Sequence, residues 1–115
     1  MTTLTGLQKR HLRGLSHQLK PLVQVGKNGL TDAVVEAVGQ ALDAHELIKV
    51  RVAEPPEGRK ALAADLAART ASLWIGTVGH VVTLYRRNED PEKQKIDLPQ
   101  PGGSRSGSEG EADEG

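Results

Sequence analysis

The 115-residue chain predicts an α/β fold: one two-layer domain of order αβαβαββ with a mixed four-stranded sheet. Three observations carry this. Apolar residues recur at helical spacing in three separate segments. Four short runs rich in Val, Ile and Leu lie between and after them, each bounded by turn residues. The two kinds of segment alternate until the last two strands, which follow each other directly and read as a hairpin.

The first helix is expected from Thr5, a plausible N-cap, to Lys20. Pro21 ends it, because the residue before a proline is pushed out of the α region. Leu7, Leu12, Leu15 and Leu19 form its expected buried stripe, with Leu4 extending it, so Lys9, Arg10 and Arg13 should face solvent. Pro21 to Val25 reads as a strand with proline at its tolerated first position. Gly26-Lys27-Asn28-Gly29 follows as a loop. Thr31 caps a second helix to about Ala44, with Leu30, Val34, Val38, Ala41 and Leu42 on its apolar face.

Ile48, Val50 and Val52 alternate with Lys49 and Arg51, so the second strand turns its apolar side to the core and its cations away. Pro55, Pro56 and Gly58 mark a turn, and residues 59–71 form an Ala-rich helix burying Leu62 and Leu66. Leu73–Val78 and Val81–Tyr85 are the last strands, joined by Gly79-His80. Glu89 to Lys95 is charged and expected to be loop, after which Ile96-Asp97-Leu98-Pro99 packs back on the domain. Residues 1–99 make one domain, and the Gly/Ser/acidic residues 100–115 are expected to be a disordered tail.

Composition removes several function classes. No cysteine is present, which excludes a thiol nucleophile, a zinc knuckle or a disulfide framework. No apolar stretch approaches the roughly 20 residues of a membrane span, and no secretion signal is visible, so a cytoplasmic location is expected. The formal net charge of zero hides segregation. Residues 1–31 carry Lys9, Arg10, Arg13, Lys20 and Lys27 and no acid. Residues 101–115 carry one arginine against four carboxylates, a net of −3. A basic end with an acidic tail suits a polyanionic partner.

The GKNG loop is where such a partner would meet backbone. Glycine has no Cβ to hold a ligand away, and a helix start leaves N–H groups and partial positive charge. The Rossmann and Walker A patterns are both absent. None of His11, His17, His45 and His80 has a helical partner at metal-ligand spacing, and no acid/base carboxylate pair stands out, so no enzyme activity, metal or cofactor is expected. With one Trp, one Tyr and no Phe, base stacking of the RRM kind is excluded. Trp74 and Tyr85 are expected to be structural. Any nucleic acid would be held by its phosphates, much as a KH domain clamps the backbone with a GXXG loop, although there the loop joins two helices.

Three separated blocks carry a resemblance: Leu19-Lys20-Pro21-Leu22-Val23-Gln24-Val25-Gly26-Lys27-Asn28-Gly29-Leu30-Thr31, His45-Glu46-Leu47-Ile48-Lys49-Val50, and Gly79-His80-Val81-Val82-Thr83-Leu84-Tyr85-Arg86. The first helix, Leu7-Gln8-Lys9-Arg10 through His17, fits as well. Over residues 4 to about 98 the chain resembles the CRM (YhbY-like) RNA-binding domain family, stand-alone bacterial type. The resemblance implies a fold similar to the C-terminal domain of translation initiation factor 3. It also implies RNA binding through the GxxG loop and an association with the large ribosomal subunit precursor.

The expected RNA contacts are Gly26, Lys27, Asn28 and Gly29, extended by Lys9, Arg10, Arg13 and Lys20. Arg86 and Arg87 stand second, and Lys49 and Arg51 third because the sheet face could be covered. The expected partner is ribosomal RNA or a pre-ribosomal particle, bound by a monomer with no small-molecule substrate. The alternative is a protein-interaction module docking on ribosomal or RNA-processing proteins. The tail lies outside the family pattern, and weak competition with RNA for the basic surface is the expectation for it.

Overall fold

Thr5 opens the first helix reciprocally with Gln8. The Gln8 amide donates to the Thr5 hydroxyl at 3.1 Å, and the Thr5 amide donates to the Gln8 side-chain oxygen at 3.0 Å. This capping box satisfies donors that a helix start otherwise leaves orphaned. The computed structural model describes residues 4–96 and residue 98. Within them run α1 (Gly6–Ser16), β1 (Pro21–Val25), α2 (Asp32–His45), β2 (Leu47–Val52), α3 (Pro56–Arg69), β3 (Leu73–Val78), β4 (Val81–Tyr85) and a 3-10 turn at Pro91–Lys93. The element order and the mixed sheet are those expected from the sequence. The expectation for residues 100–115 lies outside the described residues.

The sheet order is β1-β2-β4-β3, with β1 parallel to β2 and the other two pairs antiparallel. On one face, α2 and α3 cover Val25, Ile48, Val50, Val52, Val82 and Leu84 with Val38, Leu42, Ala63 and Leu66. Alternation along β2 and β4 sends Leu47 and Tyr85 to the other face. There they join Leu4, Leu12 and Ile75, with Leu73, Ile96 and Leu98 packed alongside. α1 is thus a partial third layer rather than a neighbour of the other two helices.

Three expectations need correction. The buried side of α1 is Leu4, Gln8, Leu12 and Ser16, not the leucine stripe, and Leu7 and Leu15 are 52% and 40% exposed. Polar residues are tolerated inside because both are bonded locally: Gln8 in the capping box, and Ser16 Oγ donating to the Arg13 carbonyl at 2.7 Å. α1 also stops at Ser16, four residues early, where His17, Gln18 and Leu19 bond back three residues instead of four. The third helix begins earlier than expected, because Pro56 is its first residue rather than part of a turn. Proline lacks only an N–H that has no intrahelical partner at that position.

Between α2 and β2 the chain reverses at Glu46, a non-glycine residue at φ 65°. Its buried carboxylate accepts from the amides of Asn88 at 2.6 Å, Lys95 at 2.8 Å and Ile96 at 3.1 Å. Its carbonyl accepts from the Arg86 amide at 2.8 Å. One side chain therefore ties the segment after β4 to the start of β2.

Glu46→Gln should destabilise the protein by about 1–3 kcal/mol, because buried N–H groups lose a charged acceptor. Hydrogen exchange should show deprotection at Asn88, Lys95 and Ile96 while amides of α2 and α3 keep their relative order. Tyr85 gives a second test. Its hydroxyl is buried with no hydrogen-bond partner among the described residues. Burial, and then the Glu46 charge, hold its pKa above the ordinary value against a smaller opposing pull from Arg87. The folded state thus favours the neutral phenol, and stability present below about pH 10 is lost as pH rises toward the raised value. Tyr85→Phe should be neutral to about 1 kcal/mol stabilising at pH 7. In urea titrations above pH 10 it should show less alkaline loss than the parent.

Candidate functional site

The GKNG loop sits at the end of the sheet where β1 and β2 finish and the β3–β4 hairpin turns. The Ala53 amide reaches the Val25 carbonyl at 3.0 Å, and the Val52 amide reaches the His80 carbonyl at 2.7 Å. These bonds bring residues 26–29, the segment after β2 and the Gly79-His80 turn into one row. Within the loop, the Gly29 amide donates to the Gly26 carbonyl at 3.1 Å and the Thr31 amide to the Gly29 carbonyl at 3.0 Å. Gly29 lies at φ +72°, in the left-handed region. Gly26 is not at positive φ. Both have open space where a Cβ would stand, which a ligand backbone could occupy.

The turn leaves the Lys27 and Asn28 amides without a hydrogen-bond partner among the described residues, and both side chains are exposed. The α2 start is less available than its sequence implies. Thr31 Oγ1 already accepts from the Val34 amide at 3.2 Å, and Asp32 puts a carboxylate in the first turn. An anion would therefore meet the loop amides and Lys27 rather than the helix end.

The cations expected from the sequence divide by what their donors already hold. The side chains of Lys9, Arg10, Lys20 and Lys27 are exposed and make no hydrogen bond or ion pair among the described residues. Arg13 is exposed but donates Nη1 to the Ile75 carbonyl at 3.4 Å, across to β3. Arg86 is spent on the protein: its guanidinium donates to Thr70 O at 2.6 Å, Gly39 O at 2.8 Å and Asp43 Oδ1 at 2.6 Å. It joins β4 to α2 and to the end of α3. Arg87 is exposed and among the described residues reaches only Gln94 Oε1, at 3.4 Å.

On the outer face of β2, Lys49 is half-buried and Arg51 is exposed, and Arg51 stands beside Gln24 in the β1–β2 register. That brings Arg51 to the loop end of the sheet, closer to GKNG than its third rank implied. Arg59 and His80 lie at the same end and were missed. Arg59 Nε donates to Glu54 O at 2.8 Å and Nη2 meets His80 Nδ1 at 2.9 Å. Only the hairpin turn and the early start of α3 juxtapose them, so the available signal was the Pro55-Pro56 helix start.

Among the described residues no group of three His, Asp or Glu could hold a metal. A cleft of about 1030 Å³ opens at the opposite end of the sheet, lined by Leu4, Gln8, Asp43, Tyr85, Arg86 and Glu89 among others, and its Arg86–Asp43 ion pair is the structural one described above. Trp74 is half-buried against the α2–α3 core and donates Nε1 to Thr77 Oγ1 at 2.9 Å, while Tyr85 is inside. Both aromatics are structural.

Comparison with known proteins adds four findings. The CRS1 / YhbY (CRM) domain matches residues 4–86. A Haemophilus influenzae protein named "RNA-binding protein" is 44% identical over 100 residues, covering 86% of this chain and 98% of its own. "Probable RNA-binding protein YqeI" of Bacillus subtilis is 40% identical over 97 residues, covering 84% and 99%. Among solved structures, a Staphylococcus aureus protein described as hypothetical and a candidate for RNA binding superposes with a TM-score of 0.71 at 32% identity, over 83% of this chain and 100% of its own.

The two glycines of the loop should respond differently. Gly29→Ala forces a Cβ into the left-handed region and should cost about 1–2 kcal/mol in thermal or urea unfolding. Gly26→Ala, at an ordinary φ in open space, should change stability by less than about 0.5 kcal/mol.

Proposed function

The chain belongs to the CRS1 / YhbY (CRM) domain family, and on that premise we propose that it is a non-catalytic RNA-binding protein that grips the RNA backbone with its GKNG loop. The observation that carries this is the pair of unspent Lys27 and Asn28 amides on an exposed turn that also carries the uncommitted Lys27 side chain. A phosphate placed there accepts from the two amides and from Lys27 Nζ. Gly29 keeps the turn open at its positive φ, and Asn28 offers a side-chain hydrogen bond. Arg51 extends the track along the outer sheet face, and Lys20, Lys9 and Arg10 extend it toward α1. Phosphate contacts of this kind position RNA without reading bases, so sequence choice would come from RNA shape.

The RNA we propose is ribosomal, with a role in assembly of the large subunit, as the family resemblance implies. Crosslinking in cells followed by sequencing of the bound RNA tests it. A footprint on large-subunit RNA or its precursor is the expected result, and recovery of unrelated transcripts alone would overturn the ribosomal part. The second reading, docking on a protein, is favoured by the exposed Leu7, Leu15, Leu19 and Leu22. Salt separates the two. RNA affinity falls with log[salt] by about 0.7 per phosphate contact on a single strand, whereas apolar docking is nearly insensitive to salt.

Lys27→Ala should lower that slope by about one contact's share, roughly 0.7, with the fold unchanged. Asp32→Asn should act in the opposite direction. It removes the carboxylate beside the loop, and filter binding should show affinity raised roughly two- to fivefold at low salt. Normal RNA binding by both variants would move the site away from this loop.

A further inference from the structure

The last described residues and the first helix share one hydrophobic cluster. Ile96 and Leu98 pack with the group that contains Leu4 and Leu12. The Glu46 carboxylate fixes their approach through the Lys95 and Ile96 amides. The chain therefore leaves the described domain beside α1, at the end of the sheet away from the GKNG loop. The solvent side of α1 carries Lys9 and Arg10, with the exposed Arg13 beside them holding the Ile75 carbonyl through Nη1, and among the described residues no carboxylate pairs with any of the three.

The chain beyond this point has the complementary chemistry. Residues 101–115 hold Glu109, Glu111, Asp113 and Glu114 against Arg105 alone, and no large apolar side chain. An extended segment from Leu98 to Glu109 reaches at most about 40 Å. That comfortably spans the 11 residues of α1, about 16 Å long. In an extended chain Glu109, Glu111 and Asp113 share one face at steps of about 7 Å. Lys9 and Arg13 lie one helical turn apart, about 5–6 Å at Cβ. Reach and sign both match.

We propose that residues 101–115 dock on the cationic face of α1 and act there as an intrachain competitor of polyanions. The docking depends only on charge and reach, and the competition rests on the RNA-binding reading above. Exposed ion pairs are individually weak, and tethering raises their effective concentration without adding a contact. The result is a cover that an RNA with many phosphates can displace and that salt dissolves. It shields α1 and leaves the loop at the far end of the sheet open, so an RNA could engage GKNG first and α1 second.

The test uses the full chain and one full-length variant, Glu109→Gln, Glu111→Gln, Asp113→Asn and Glu114→Gln together. Two readouts are taken at about 50 mM and about 300 mM salt: amide chemical shifts of α1 without RNA, and affinity for a labelled oligouridine. At low salt the variant should shift amides around Lys9–Arg13 and bind the RNA roughly three- to tenfold tighter. Both differences should vanish at high salt. Identical α1 shifts in the two proteins at low salt overturn the proposal, even if both bind RNA. Shifted α1 amides with no RNA binding by either protein support the docking and overturn the RNA-binding reading instead. Shifted amides with equal RNA affinities overturn the competition.

Discussion

The fold depends on a carboxylate placed where helices usually end in glycine. Glu46 closes α2 at positive φ and at the same time gathers three amides from a segment more than 40 residues later. A glycine at that position would relieve the backbone but leave those amides unpaired in a buried site, each costing about 1–3 kcal/mol. The strain of a non-glycine residue in the left-handed region, about 1–2 kcal/mol, is the smaller cost. The consequence is architectural. With the Asn88–Ile96 segment held, Ile96 and Leu98 complete the second cluster under α1. That helix touches neither α2 nor α3 in either hydrophobic cluster. Its seat depends on β2, β3, β4 and this returning segment.

Two separate cores give the protein two separable surfaces. The larger core, between the sheet and the α2–α3 pair, holds the strand ends from which the GKNG loop projects. The smaller one holds α1 and its cations. Disturbance of the smaller core should therefore alter the α1 surface before it alters the loop. A single continuous core would couple the two. The parallel β1–β2 pair adds to this, since Ala53 bonds directly to Val25 at the root of the loop.

What the sequence revealed follows the range of the interactions. β2 was legible because strict alternation of Ile48, Val50 and Val52 with Lys49 and Arg51 is a local signal. α2 was legible because Thr31 and the spacing of Val34, Val38 and Leu42 agree. α1 misled because leucine content suggested its buried side, whereas the rotation follows Leu4, Leu12 and the Thr5–Gln8 box. The Thr-x-x-Gln pattern was present to be read. The α3 start was hidden by reading Pro55-Pro56 only as a breaker, when proline also opens helices. The loop itself was legible as a motif, but its free amides were not, because they depend on the Gly29 to Gly26 bond. Glu46 and Arg86 were beyond reach: their partners lie up to 50 residues away and no pattern marks them.

Arg86 carries the more general point about charge. Counted by sequence it is one more cation available to RNA, ranked second behind Lys27. In the fold its donors already hold two carbonyls and a carboxylate. Moving it to a phosphate would leave the Thr70 and Gly39 carbonyls in want of a donor, a cost that an exposed contact worth about 1 kcal/mol does not recover. A cation is available to a polyanion only when its donors are unspent, and by that measure Lys27, Lys9, Arg10 and Lys20 outrank Arg86 and Arg87. Lysine suits that role. Its compact ammonium can follow phosphates of varied geometry, whereas the rigid fork of arginine favours one bidentate partner. The protein uses that fork at residue 86 to lock three elements of its own structure together.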